Sequence, residues 1–318
     1  MNNMQCVSFA NRHGLTLRGV LHSPDPGVAR GECILLLSPG IKGRVGPHRL
    51  YLQMAERFVP MGFHVLRFDF HGLGDSEGTL NERAMADVYN TIQGGRYVHD
   101  AIDAMDWMQV QHGIKHFVGS GLCGGSITAL LAARADRRIE SLLGLSLPSA
   151  LEGGKENFDR FLTRGQLRQE GRSYLRRLLD PGSWGRFLTG RSGYRVIVRA
   201  MRELVLPSTR PAAGARVAAM DDSTDTPVDN ANPHFAPALL SLLAEKRPIL
   251  LMFSGNDRHR HEFAEKFEER YAEPIERSGG HYTVHLIENA NHVLSDKAWV
   301  GEMLDVATRW LGARRTAQ

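Results

Sequence analysis

The sequence predicts an α/β fold, a mostly parallel eight-stranded sheet with helices on both faces and an inserted helical cap. Three observations predict it. Short apolar runs rich in β-forming residues recur along the chain, longer helical patterns separate the later ones, and one arginine-rich stretch interrupts the alternation. With 318 residues, 42% hydrophobic and 23% charged, the chain has the size and composition of one large globular α/β unit carrying an insertion.

Strands are expected near Gln5–Ala10, Leu15–Leu21, Glu32–Leu37, His64–Asp69, His116–Ser120, Ser141–Leu145, Pro248–Phe253 and Thr283–Ile287. Helical patterns lie near His48–Met61, Arg83–Val110, Ser126–Ala135, Phe235–Glu245, Glu262–Glu269 and Lys297–Leu311. The first strands follow one another without helices, which predicts antiparallel pairing at the start of the sheet; the later β-α alternation predicts parallel pairing. The alternation stops after Leu147-Pro148-Ser149 and resumes at Phe235, so residues 1–149 and 234–318 read as the core and 150–233 as an inserted cap. Trp184 and Tyr194 are expected to anchor the packing of that cap.

The net charge of +4 is small but unevenly placed. Between Leu151 and Leu204 there are 12 Lys or Arg against 6 Asp or Glu. Such a surface is either a solvated helical face or an attractor for an anionic carrier. No nucleic-acid motif accompanies it. No apolar run approaches the roughly 20 residues of a membrane-spanning helix. The beginning of the sequence lacks a basic-then-apolar export pattern. Cys6, Cys33 and Cys123 have neither metal-ligand nor disulfide-framework spacing, and free thiols fit a reducing, cytoplasmic setting. Cys6 and Cys33, both in expected strands, read as small buried hydrophobes.

Cys123 stands apart. Gly121-Leu122-Cys123-Gly124-Gly125 reads as G-x-C-x-G between a strand and a small-residue helix. A strand turning sharply into a helix strains the turn residue and projects its side chain, and glycines are needed where a Cβ would collide with the neighbouring strand and helix. Neither Ser120 nor Ser126 has glycine at both the −2 and +2 positions. A thiol nucleophile needs a base and an acid to orient that base. In a doubly wound sheet, these sit on loops at the carboxyl ends of strands. Asp257, in Ser254-Gly255-Asn256-Asp257, and His292, in Ala290-Asn291-His292, occupy two such loops. His71, His99, His259 and His261 are rivals to His292 near function-bearing loops. The i, i+2 pair His259 and His261 lacks a second ligand cluster, so no metal is assigned. No cofactor is assigned.

These landmarks, with Ser38-Pro39-Gly40-Ile41 and Asp69-Phe70-His71-Gly72-Leu73-Gly74-Asp75-Ser76, resemble the α/β-hydrolase superfamily over nearly the full length. Within it the chain is more similar to the lid-bearing, serine-aminopeptidase-like branch. Its Gly-Leu-Cys elbow also resembles hydrolases found with bacterial exosortase systems, which typically carry Asp where this chain has Gly124. Dienelactone hydrolases share a Cys elbow but are usually shorter. The resemblance implies an α/β-hydrolase fold with Cys123 as nucleophile, His292 as base and Asp257 as acid. It also implies an oxyanion hole made by the backbone N–H groups of Gly124 and Ile41. Asp69 to Ser76 reads as a structural turn.

The expected activity is that of a thioesterase or esterase passing through an acyl-Cys intermediate. An acyl-Cys is itself a thioester, so acyl-thioesters bound to coenzyme A or an acyl-carrier protein are the expected substrates. Acyl transfer to an amine, alcohol or thiol is the alternative. A lactone hydrolase and a non-catalytic binding protein are lesser ones.

Overall fold

The computed structural model describes residues 3–82, 84–152 and 229–314. The eight expected strands are all present: β1 (Asn3–Ala10), β2 (Thr16–Ser23), β3 (Glu32–Leu37), β4 (His64–Phe68), β5 (His116–Leu122), β6 (Ile139–Leu145), β7 (Ile249–Ser254) and β8 (Tyr282–Ile287). They form one sheet in the order β1-β2-β4-β3-β5-β6-β7-β8. The pairs β1–β2 and β2–β4 are antiparallel, and all the others are parallel.

The buried parallel strands explain the apolar runs. Along β3, Cys33, Leu35 and Leu37 face one layer, while Ile34 and Leu36 face the other. Residues on one strand alternate between faces, so a strand covered on both sides has no polar positions to spare. Helices α1 (Leu50–Phe58) and α8 (Lys297–Ala313) cover one face. Helices α2 (Met85–Gln93), α3 (Val98–His112), α4 (Gly124–Ala135) and α5 (Phe235–Ala244) cover the other. Each fully buried Leu or Ile stabilises this sandwich by about 1.5–3 kcal/mol.

The structure corrects three expectations. The helical pattern over Arg83–Val110 is two helices, because Gly94 and Gly95 separate α2 from α3 and Gly95 has φ +102°. The pattern at Glu262–Glu269 begins earlier, as α6 (Arg258–Phe263), and continues as a π-helical turn, Ala264–Glu268, before a further helix, α7 (Ala272–Arg277). Cys33 is buried as expected, but Cys6 is exposed, because β1 is the edge strand and Cys6 points outward.

The expected cap, with Trp184 and Tyr194, lies outside the described residues apart from its two ends. These ends are joined. Ala150 and Ala231 form an antiparallel bridge, Leu151 N–H donates to the Asn230 carbonyl at 2.8 Å, and Asn232 N–H donates to the Ser149 carbonyl at 2.9 Å. The chain therefore leaves and re-enters the core through one narrow neck.

Candidate active site

Neighbouring parallel strands end in register. Leu37 pairs with Gly121, Leu122 with Leu145, Leu145 with Met252, and Ser254 with Ile287. The loops that follow β3, β5, β7 and β8 therefore emerge along one edge.

At the end of β5, Cys123 has φ 53° and ψ −113°, a strained conformation for a residue with a Cβ. The glycines around it are forced by space. A Cβ on Gly121 would lie 2.5 Å from the Gly125 carbonyl carbon, and one on Gly125 would lie 2.1 Å from the Leu37 carbonyl oxygen. Tyr51 pins the elbow from below. Its buried hydroxyl donates to the Leu37 carbonyl at 2.7 Å and accepts from Leu122 N–H at 2.8 Å. It thereby ties the end of β3 to the strand carrying Cys123.

Beyond β7, Asp257 caps α6, its carboxylate accepting from His259 N–H at 3.2 Å. The other carboxylate oxygen lies 2.7 Å from Nδ1 of His292, beyond β8. Asp257 is buried and His292 is partly exposed. The structure thus brings Cys123, Asp257 and His292 together.

It also adds a residue that the sequence reading assigned no role. His259 is buried, and its Nε2 lies 3.8 Å from Cys123 Sγ, while its Nδ1 lies 3.2 Å from a carboxylate oxygen of buried Glu262. The His259 and His292 rings meet edge to face at 5.3 Å between centroids. Sγ and one ring nitrogen from each histidine lie within 4.8 Å of one another, a donor set one cation could share. The sequence signal was available: an Asp helix cap, followed at two and five residues by His259 and Glu262, puts both on one helix face. His261 is not in the cluster. His71 is held elsewhere, with Nδ1 2.8 Å from Asp100.

Burial opposes charge on Cys123, but hydrogen bonds from His259 and His292 outweigh it and pull the thiol down to about 6. Burial likewise opposes the imidazolium of each histidine. Asp257 and the sulfur raise His292, while the sulfur and Glu262 raise His259. Burial opposes the Asp257 carboxylate too, but His292, first among its partners, holds it well below the usual carboxylate range.

The cluster opens into a cavity of about 370 Å³ among the described residues. Tyr89, Ile92 and Gln93 of α2 line it, together with Pro148, Glu152 and Arg258. Arg258 and Glu152 are ion-paired. Gln93 Oε1 is buried and has no partner among the described residues. Gly124 lines the cavity at the first turn of α4. The loop after β3 meets it through Gly40, whose N and Cα would lie 2.7 and 2.6 Å from a Cβ on Gly124. Ile41, the other expected oxyanion donor, follows directly, and its side chain packs against the core. The Asp69–Ser76 turn is held by Arg44, whose guanidinium pairs with Asp69 and Asp75.

Several solved structures share this architecture. The protein recorded as DcsB in complex with its substrate analogue matches with a TM-score of 0.54 and 16% identity, over 98% of this chain and 99% of that one. The Pyrococcus furiosus esterase Pf2001 matches with a TM-score of 0.54 and 18% identity, over 98% and 91%. XC6422 of Xanthomonas campestris, described as an α/β serine hydrolase without lid, matches with a TM-score of 0.50 and 13% identity, over 98% and 97%. The fold is that of the α/β-hydrolases. In this fold Cys123 stands at the turn from β5 into α4, Asp257 after β7 and His292 after β8.

No protein-family model matches the chain. Among curated proteins, the lysophosphatidylserine lipase ABHD12 of Bos taurus is 31% identical over 103 residues, 30% of this chain and 22% of that protein. The Macaca fascicularis form is 29% identical over 113 residues, 33% of this chain and 25% of that protein. The chain thus spans about a quarter of the length of the relatives it matches.

Proposed function

We propose that this protein is an acyl hydrolase, a thioesterase or esterase, working through a Cys123–His292–Asp257 triad and an acyl-Cys intermediate. The observation that carries the reading is the strained elbow thiol within 4.8 Å of a ring nitrogen of His292, whose Nδ1 is held 2.7 Å from a buried carboxylate. Hydrolysis needs that arrangement; a purely binding member of the fold does not.

The thiolate attacks the acyl carbonyl, forming a C–S bond and a tetrahedral oxyanion. Backbone N–H groups of Gly124 and Ile41 stabilise the oxyanion, assisted by the positive end of α4. His292 protonates the leaving group as the carbonyl re-forms, then takes a proton from water, which attacks the acyl-Cys and releases the acid. Asp257 keeps the proton of His292 on Nδ1 throughout.

Sulfur favours acyl-thioester substrates. Exchange between two thioesters is nearly thermoneutral, so acylation of Cys123 by a coenzyme A or carrier-protein thioester meets no uphill step. The same intermediate can pass its acyl group to an amine, alcohol or thiol, which is the alternative outcome. Residues 150–233 are assigned as the cap, and the basic stretch Leu151 to Leu204 suits the phosphates of such a carrier. The paired ends at Ala150 and Ala231 support an insertion there. Among the described residues no helix is long and apolar enough to cross a membrane. The narrower kinship to lid-bearing and exosortase-associated hydrolases, and a cytoplasmic setting for the free thiols, belong to the same proposal.

The test is intact-protein mass spectrometry after incubation with acyl-coenzyme A, acyl-pantetheine and aryl esters. An acyl adduct that disappears in Cys123→Ala, with turnover lost in parallel, is the expected result. Full turnover of every substrate by Cys123→Ala defeats the reading. Product analysis with and without an amine or alcohol acceptor separates hydrolysis from transfer.

A further inference from the structure

We propose that Cys123, His259 and His292 form a binding site for a soft divalent cation of the zinc class, with its open coordination position facing the cavity. The site rests on the same residues as the proposed acyl chemistry and competes with it.

Acyl transfer as derived above uses one imidazole and one carboxylate. The structure supplies two such pairs, and both point at the same sulfur. Nδ1 of His292 is engaged by Asp257 at 2.7 Å, and Nδ1 of His259 by Glu262 at 3.2 Å. Each carboxylate holds the ring proton on Nδ1 and leaves the Nε2 lone pair for a ligand. This carboxylate–histidine pairing fixes ring orientation and raises ligand basicity around bound metals.

The distances suit a metal with little rearrangement. A tetrahedral zinc, with Zn–S near 2.3 Å and Zn–N near 2.0–2.1 Å, sets sulfur and nitrogen about 3.6 Å apart. Cys123 Sγ and His259 Nε2 are 3.8 Å apart, and all three donor atoms lie within 4.8 Å of one another. Three protein ligands with a fourth position open to substrate or water is the pattern of an open zinc site. Thiolate and imidazole donors select a thiophilic cation over magnesium or calcium. The spacing of His259 and His261 argues against a metal when read alone; the fold instead pairs His259 with ligands 136 and 33 positions away in sequence.

Binding is a proton exchange: Cys–SH and M²⁺ give Cys–S–M⁺ and H⁺. The sulfur lone pair that would attack a carbonyl is then committed to the metal. Metal occupancy and acylation of Cys123 are therefore mutually exclusive.

The experiment uses the full chain, freed of metal with a chelator and titrated with Co²⁺ and with Zn²⁺. One equivalent of Co²⁺ should give a thiolate-to-cobalt charge-transfer band, which Zn²⁺ displaces, and Zn²⁺ should protect Cys123 from iodoacetamide. His259→Ala should weaken cobalt binding by at least tenfold, and Glu262→Gln by about 10–100-fold. Glu262→Gln keeps the size of the side chain and serves if His259→Ala fails to fold. Absence of the band, or a band with undiminished affinity in both variants, overturns the site. The two proposals fail separately. Metal-free turnover through Cys123 with no cobalt binding sinks only the metal site. Cobalt binding together with turnover that requires metal keeps the site and sinks the free-thiolate mechanism.

Discussion

Cys123 sits between two imidazoles, each backed by a buried carboxylate, and the pairs differ in exposure. His292 is reachable from solvent, whereas His259 is 4% exposed. Both rings line the cavity, and His292, the more exposed of the two, is the one proposed as the base. Replacing Asp257 with Asn would leave the shape but remove the charge that holds the tautomer of His292. Asp257→Asn is expected to lower kcat on the order of 10³–10⁴-fold with KM little changed, measured on whichever acyl substrate labels Cys123. A loss below tenfold would mean that Asp257 is not the orienting acid. The strand-end positions of Cys123, Asp257 and His292 were readable in the sequence because each follows a recognisable apolar run. His259 was passed over, because the helix that makes Glu262 its neighbour begins at Arg258, four residues before the expected start. Read as a loop, His259 and His261 look like an equivalent pair; wound as α6, they point to different surroundings.

At the scale of elements, the elbow depends on close backbone approach. Gly125 packs against β3, and the Tyr51 hydroxyl bridges β3 to β5. Tyr51→Phe keeps the ring but leaves the Leu122 N–H and the Leu37 carbonyl without this partner in the core. The expected cost is about 1–3 kcal/mol in urea unfolding, with a fall in kcat as the elbow shifts. Unchanged stability would show that water or backbone takes over the bridge. Gly125→Ala should be far worse, because its Cβ would stand 2.1 Å from a backbone oxygen that cannot swing away. No soluble folded protein is expected on expression; a normally folded variant would refute this steric account. The strands were legible because burial on both faces removes polar residues from them. The break between α2 and α3 was not, since apolar periodicity continues on both sides of Gly94-Gly95 and masks the interruption.

For the whole molecule, acid sensitivity has an identifiable source away from the site. His22 of β2 is buried, and its Nε2 accepts a hydrogen bond from Arg67 Nε at 3.0 Å. Burial first, and the Arg67 charge second, hold it down to about 4 against an ordinary 6.5. The neutral ring is the one that fits, so its contribution is complete above pH 6.5 and is lost as pH falls through 4. Up to about 3 kcal/mol is expected to disappear over that window. Chemical unfolding of wild type and His22→Gln at pH 7 and pH 4.5 should show a smaller pH-dependent loss in the variant. Equal losses would place the acid sensitivity in other groups.

The neck formed by Ala150 and Ala231 holds together the two points where the chain departs from the core and returns to it. Because backbone hydrogen bonds join the two ends to each other, a change in the length of the segment between them need not be carried into the strand register. Doubling the length of such a closed excursion costs only about 0.6 kcal/mol of closure entropy. The frame that carries Cys123 is thereby insulated from insertions and deletions between those two ends.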